Sequence, residues 1–397
     1  MSEITMDAMN HLRHLVETIG ARGSTTQKEK EAAQYADRVL RQAGMAPTTE
    51  TFTSARSSYT PFALYAMLLL IAELLYWLNW NWGAVIAAGL GGLSLFSAIL
   101  ELAFRPNPFR WLLPKGKSQN VWVRLQHEDE VKEQVVLTGH LDTHRTPLIF
   151  SSDGWVKFLS LLIPLGLVSG VTLVILFAMG TASSAGVLRL ISLPLTLIVA
   201  MLLILTIQAD LTPYTVGAND NASGASVALS MAERLKRAPL KHTVVWVVLT
   251  GCEEVGCYGA DAFAQAHKNE LGRPVWITID NVGGKGAGVA YLTSETFLRT
   301  TPSDPGLLQI ADRIAEEHPE LDAFPFRFKG AYTEGAIGGK HGFRVLTLLS
   351  FRRDGTLPEW HRPTDVIDNL DPKVVAKSQT FLWRLLQEID QQAEDRA

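Results

Sequence analysis

Charge is scarce in this chain. Asp, Glu, Lys and Arg make up only 19% of its 397 residues, against about 25% in soluble domains. Cysteine is scarcer still. Cys252 and Cys257 are the two present, which excludes a disulfide framework and leaves both to be read as small buried side chains. The net charge of −4 is spread along the chain without a basic cluster, so nucleic acid is excluded as a partner. The first 60 residues are polar and lack a basic segment followed by an apolar one, so no secretory signal is expected. No internal repeat or low-complexity tract is present.

What the chain has instead is long apolar runs. Hydrophobic residues reach 47% and are concentrated in four windows: Phe62 to Leu78, Gly83 to Phe104, Phe158 to Gly180 and Val187 to Ile207. Each is roughly 17 to 23 residues long, enough to cross a ~30 Å hydrocarbon layer as a helix. Glu73, Glu101 and Arg189 are the only charges inside them. Pro164 and Pro194 are compatible with spans, because membrane helices tolerate proline. An ionisable group such as Glu73 inside a span is costly, and snorkelling toward the nearby link, a polar contact within a bundle or a pathway role would explain it. One such window could be a buried core helix, but four together predict a multi-pass integral membrane protein with the lipid bilayer as a partner.

The windows pair into hairpins. Asn79-Trp80-Asn81-Trp82 links the first pair, with aromatics where an interfacial belt would sit, and Thr181 to Gly186 links the second. An even number of crossings returns the chain to one side each time. Residues 1–60, 105–157 and 210–397 therefore share a compartment and form one domain of roughly 300 residues. Residues 61–104 and 158–209 are the two transmembrane hairpins. Arg56, Arg105, Arg110, Lys115, Lys117, Arg145 and Lys157 flank the spans on the domain side, and only Arg189 lies on the other. That bias places the domain in the cytoplasm.

Outside the spans, helical and strand patterns alternate. Glu3 to Gly20 has helical apolar spacing. Thr26-Gln27-Lys28-Glu29 has the form of a capping box for a helix reaching about Gln42, before Gly44. Ser223 to Arg237 reads as another helix. Val135–Thr138, Thr243–Thr250, Pro274–Ile279 and Val345–Leu349 read as short strands, the second β-branched enough to be buried on both faces. Such alternation predicts an α/β sheet covered by helices on both sides.

The chemistry lies where these strands end, the usual position for sites in open α/β sheets. His140 and Asp142 follow the first strand, Glu253 and Glu254 the second, and Asp280 ends the third. Asp220 sits in Asn-Asp-Asn-Ala-Ser-Gly, and His361 lies in Glu-Trp-His-Arg-Pro-Thr-Asp near the C-terminus. Imidazoles and carboxylates without cysteine suit Zn²⁺, or Mn²⁺ or Co²⁺. One carboxylate bridging two ions lets both act on one water and one carbonyl, and a spare Glu beside a ligand Glu can serve as general base. Each motif alone has a bland reading: a helix cap for Asp-Asn-Ala-Ser-Gly, a solvated turn for the Glu pair. His144 is read as a surface residue or one behind the site, and the remaining histidines as structural or exposed.

The order His-x-Asp, Asn-Asp-Asn-Ala-Ser-Gly, Glu-Glu-x-Gly, Asp and a late His resembles the M28 family of di-zinc exopeptidases, and the resemblance extends to Leu15–Gly44. It implies a zinc-exopeptidase-like mixed α/β sheet flanked by helices, here with four inserted transmembrane helices. It implies two Zn²⁺ per chain. Asp220 would bridge them, His140 and Asp280 would complete one site, and Glu254 and His361 the other. Glu253 would be the catalytic base, Asp142 would orient His140, and Asp220–Asn221 would be a cis peptide. Trp360 stands where some relatives carry a Tyr that helps stabilise the oxyanion, for which Tyr332 and Tyr291 are the candidate substitutes. Thr333-Glu334 stands where relatives often have Ser-Asp, and membrane hairpin 158–209 fills the usually short gap before the bridging Asp.

The expected activity is a membrane-bound metallo-aminopeptidase acting on a peptide or amphiphilic amide. The alternatives are an N-acyl amino acid or lipid-linked amidase, a mono-zinc acyltransferase or cyclase, and a binding protein without catalysis. Fold alone does not choose among them.

Overall fold

The computed structural model describes residues 3–395 except 79, 81, 106, 128–130, 183–185 and 297. The two expected interhelical links, 79–82 and 181–186, therefore lie partly outside the described residues. In chain order, α1 (Glu3–Arg13) continues through a π-turn, His14–Ile19, and ends at Gly20. α2 (Gln27–Gln42) begins at Thr26, whose hydroxyl accepts from the Glu29 N–H at 3.3 Å, as the Thr-x-x-Glu spacing predicts. There follow β1 (Thr48–Ala55), α3 (Thr60–Trp77), α4 (Gly83–Leu102), β2 (Lys115–Leu125), β3 (Glu133–His140), α5 (Asp153–Ala182) and α6 (Gly186–Asp210). The C-terminal half runs α7 (Gly224–Arg237), β4 (Thr243–Thr250), α8 (Tyr258–Leu271), β5 (Val275–Ile279), β6 (Gly288–Thr296) and β7 (Thr300–Pro302). It ends with α9 (Pro305–Glu317), β8 (Ala323–Lys329), α10 (Glu334–Lys340), β9 (Arg344–Phe351) and α11 (Pro372–Asp395).

The chain divides into two compact units. One holds Met1–Arg56, Lys115–His144 and Tyr214–Ala397, and the other Ser57–Pro114 and Arg145–Pro213. In the first, the nine strands of the described residues form one mixed sheet in the order β1-β2-β4-β3-β5-β9-β6-β7, with β8 on β6. Its centre is parallel: β3 pairs with β4 and β5, and β5 with β9. β4 is buried along its whole length, as its run of Val, Trp and Leu requires. Val247, Leu137, Ile277 and Leu346 carry the core across neighbouring strands to α7 (Val227, Met231) and α11 (Phe381, Leu385). The parallel register brings the ends of β3, β4 and β5 to one edge, with His140 opposite Thr250. The outer strands β1, β2, β6, β7 and β8 are absent from the sequence reading. β1, β2, β7 and β8 mix polar with apolar residues, the apolar start of β6 passes after Leu292 into Thr-Ser-Glu-Thr, and β1 is made by pairing with β2 rather than by burial.

The second unit is helical. α3, α4, α5 and α6 have 18, 20, 30 and 25 residues and are each long and apolar enough to cross a membrane. Leu69, Ala72 and Tyr76 of α3 cluster with Ala87, Leu173, Phe177 and Val199 from the other three. Gly180 is required where α5 meets α3, since a β-carbon there would fall 2.3 Å from the Tyr76 ring. Glu73 is buried in the bundle, its Oε1 accepting from Ser192 Oγ at 2.5 Å and Trp77 Nε1 at 2.6 Å, so the contact within the bundle is the reading that holds. Outward, Leu161, Val168, Leu190, Leu197 and Ile204 are 60–70% exposed.

This helical unit also takes in residues 105–114 and 145–157. Polar contacts explain the boundary: Asn107 Nδ2 donates to the Ser97 carbonyl at 2.9 Å, Arg110 pairs with Glu101, and Arg145 lies 3.5 Å from Asp210.

Candidate metal centre

Six buried or half-buried groups, drawn from segments far apart in sequence, meet at the carboxyl edge of the parallel strands. β3 delivers His140 as its last residue, the turn after β4 presents Glu253 and Glu254, and Asp280 follows β5. Asp220 lies in the irregular turn before α7, with φ −108° and ψ 93°, and the Asp220–Asn221 peptide is cis, as expected. That turn begins at Gly217 (φ 58°), where a β-carbon would fall 2.2 Å from the Asp220 carbonyl oxygen, so only glycine fits. His361 comes from the loop between β9 and α11.

The separations are informative. His140 Nε2 is 3.4 Å from Asp220 Oδ1 and 3.4 Å from Asp280 Oδ1. His361 Nε2 is 3.3 Å from Asp220 Oδ2 and 3.3 Å from Glu254 Oε2. All four exceed the usual hydrogen-bond length of about 2.9 Å. They match the edge of a tetrahedron built on zinc bonds of about 2.1 Å, which is roughly 3.4 Å. The two oxygens of Asp220 thus face two different imidazoles, each accompanied by a further carboxylate. Glu253 Oε2 stands 4.0 Å from His140 Nε2, outside both groups.

The donor set fits divalent cations. His140 Nε2, Asp220 Oδ2 and Glu254 Oε1 are buried with no hydrogen-bond partner. Leaving such atoms uncompensated is costly. Five carboxylates, those of Asp142, Asp220, Glu253, Glu254 and Asp280, share the neighbourhood, which calls for positive charge. The ionisation equilibria reflect this crowding. Burial raises Glu253 well above the ordinary carboxylate range, and the Glu254 and Asp280 charges add to it against the pull of His140. Burial opposes the charge on His140, but Asp142, Asp220 and Asp280 outweigh it and hold the imidazole well above its ordinary value. Burial likewise opposes the charge on Asp220, yet His140 and His361 keep it far below the usual range.

A second layer holds these groups in place. Asp142 is fully buried and accepts from the Glu253 N–H at 3.0 Å, the Glu254 N–H at 3.2 Å and Ser24 Oγ at 2.6 Å. Its own backbone carbonyl is 3.1 Å from His140 Nδ1, which leaves Nε2 facing the centre. Asp365 accepts from the N–H groups of Asn219 and Asp220 at 2.6 and 3.0 Å. Burial pushes Asp365 up to about 8, partly offset by those two bonds.

The chain is similar to known proteins. The profile of Peptidase family M28 matches residues 202–386, which include Asp220, Glu253, Glu254, Asp280 and His361. Over that segment the chain is similar to Peptidase family M28. Aminopeptidase YwaD of Bacillus subtilis (strain 168) is 30% identical over 174 residues, 42% of this chain, so the chain matches about a third (36%) of that relative's length. Among solved structures, a leucine aminopeptidase precursor from Bacteroides thetaiotaomicron VPI-5482 superposes with a TM-score of 0.58 at 12% identity, covering 96% of each chain. BSAP, a zinc aminopeptidase from B. subtilis, gives 0.57 at 14%, covering 97% of this chain and 94% of its own. A glutaminyl cyclase from B. thetaiotaomicron, bound to N-acetylhistamine, gives 0.58 at 12%, covering 96% and 97%. At such identities the three establish the fold.

Within the first unit, the structure decides between the two readings of His144, corrects one for Tyr291 and adds residues the sequence did not single out. His144 is no surface residue: it is 6% exposed, its ring stacks on His361 at 3.5 Å, and its nitrogen lies within 4.8 Å of ligand atoms of Glu254 and His361. The His-x-x-x-His spacing from His140 is the signal in the sequence that points to it. Tyr291 is unavailable as an oxyanion donor, because its hydroxyl donates to Asp312 at 2.5 Å and its ring stacks on Phe381. Trp360 packs on the His361 ring at 4.8 Å. Glu334 is buried at the start of α10, and burial pushes it up to about 7.

Glu29 does more than cap α2. Its Oε2 accepts from the Thr25 N–H and its Oε1 from the Cys252 N–H at 2.9 Å, tying the first turn of α2 to the loop that carries the Glu pair. Arg22, fully buried and lowered by burial to about 10, remains charged at neutral pH. It donates to the carbonyls of Leu15, Gly20, Leu141, Val216 and Gly217, joining the two strands of chain that lead to His140 and Asp220.

Proposed function

We propose that this protein is a membrane-embedded, di-zinc amide hydrolase of the aminopeptidase kind. The observation that carries the reading is Asp220, whose two oxygens face His140 and His361 at 3.4 and 3.3 Å. His140, Asp220 and Asp280 would hold one ion, and His361, Asp220 and Glu254 the other. Zinc in that position polarises a substrate carbonyl and acidifies a water. The remaining chemistry belongs to side chains. Glu253, buried and with its proton affinity raised, takes a proton from the attacking water and returns it to the leaving amine. Asp142 holds the backbone of Glu253 and Glu254 and the orientation of His140, so one residue sets the relative placement of base and ligands.

The test is metal content measured together with a substrate screen. Protein kept free of chelators should carry close to two zinc per chain and hydrolyse aminoacyl or peptidyl amides, or N-acyl amides if the substrate is amphiphilic. Active protein with almost no metal would sink the proposal. A glutaminyl cyclase among the similar structures keeps cyclisation as the second reading. One zinc per chain with cyclisation of N-terminal glutaminyl peptides would favour it.

The membrane part of the proposal rests on the four apolar helices and their outward leucines, valines and isoleucines. Asp142 and Asp220 lie on either side of the 145–213 insertion, so the crossings between them must be even in number. Single cysteines at Trp80 and Gly186 should label from outside intact cells, and single cysteines at Lys117 and Glu394 should not. Cys252 and Cys257 are fully buried, which keeps the background low. Labelling of Lys117 and Trp80 from the same side would refute the first hairpin. Uniform reversal of all four would overturn only the cytoplasmic placement of the domain.

A further inference from the structure

The Glu253 carboxylate accepts one side-chain hydrogen bond among the described residues, and it comes from a thiol. Cys257 Sγ donates to Glu253 Oε1 at 3.2 Å, while Oε2 is the oxygen nearer His140. The two carboxylate oxygens are therefore distinguished, one held against the start of α8 and the other turned toward the centre. Cys257 sits at the N-cap of α8 with φ 53° and ψ 37°, in the left-handed region. Glycine, asparagine and aspartate adopt that conformation at lower cost, so a cysteine there needs a reason beyond the turn. The turn is made by backbone: the N–H groups of Gly256 and Cys257 both donate to the Glu253 carbonyl, at 2.8 and 2.7 Å. The side chain is left free for another purpose.

We propose that Cys257 is a positioning residue for the catalytic base, its S–H fixing Glu253 Oε1 so that Oε2 is presented to the attacking water. A thiol suits the place. It is fully buried, and burial together with the charges of Glu253, Glu334 and Glu295 pushes it well above its ordinary value, so it keeps its proton and stays a donor. It is also largely apolar and brings no water to the base. The role differs from that of Cys252, whose thiol points to Glu29 at 3.4 Å. The inference rests on the proposed role of Glu253.

The test compares Cys257→Ala, Cys257→Gly and Cys257→Ser in the full-length, metal-loaded protein. Alanine and glycine should each lower kcat about ten-fold, the scale of one hydrogen bond to a charged group. KM should stay within about two-fold, because the substrate is not touched. Zinc content and melting temperature should match the parent, and the glycine variant, free of left-handed strain, should melt no lower. Serine should recover most of the loss. Native kcat in the alanine or glycine variant, or a serine variant no better than alanine, overturns the inference, as does zinc lost in step with activity. Glu253→Gln separates the two levels. Native turnover in that variant removes the base itself, whereas an inactive Glu253→Gln beside a fully active Cys257→Ala removes only the role of the thiol.

Discussion

Glu253→Gln should keep both metals and the fold while losing roughly 10²–10⁴-fold in turnover, the usual contribution of a positioned general base. Glutamine fills the same space and still accepts at Oε1, but it cannot take a proton. Glu253 stands 4.0 Å from His140 Nε2, outside the 3.3–3.4 Å pattern formed by the other side chains. Glu254 is inside that pattern, 3.3 Å from His361. Glu254→Ala should therefore lose metal first and activity as a consequence. Zinc analysis and steady-state kinetics on the two variants, side by side, decide the assignment. The opposite behaviour, metal lost from Glu253→Gln and retained in Glu254→Ala, would invert the roles within the pair.

Asp220→Ala should empty both sites and bring hydrolysis down to background. In the proposed assignment every other ligand serves one ion, whereas the two oxygens of Asp220 face His140 and His361. Its loss should exceed the roughly 10–100-fold weakening that follows removal of an outer hydrogen-bonding partner of a metal ligand. It should also exceed the effect of Asp280→Ala, which touches the His140 group alone. Zinc titration of the three proteins gives the comparison. Retention of one full equivalent in Asp220→Ala, with activity within about ten-fold of the parent, would contradict a bridging carboxylate.

The parts of the fold legible in the sequence were those with a strong local signal. β4 is a β-branched run buried on both faces, α2 starts at a Thr-x-x-Glu cap, and the four apolar helices declare themselves by length. Their ends differ from expectation by a few residues, most at α5, which starts at Asp153 rather than Phe158 because Asp153 and the residues after it continue the helix beyond the apolar window. The outer strands had no such signal. β1 and β2 are mostly polar and are held by each other's backbone, a property of the pair and not of either segment.

The site divides in the same way. Sequence order alone grouped His140, Asp142, Asp220, Glu253, Glu254, Asp280 and His361 as candidates, because metal chemistry restricts which side chains could serve and strand ends restrict where they stand. Only the tertiary structure decided what supports them. Asp365 reaches the backbone of Asp220 across 145 residues, Glu29 that of Cys252 across 223, and Arg22 the carbonyl of Gly217 across 195. His144 stacks on His361 from a loop that spacing alone could not aim. Ligand chemistry depends on residue type and leaves a motif, whereas buried hydrogen bonds depend on which backbone groups the fold leaves without partners, and that is settled only when distant segments pack together.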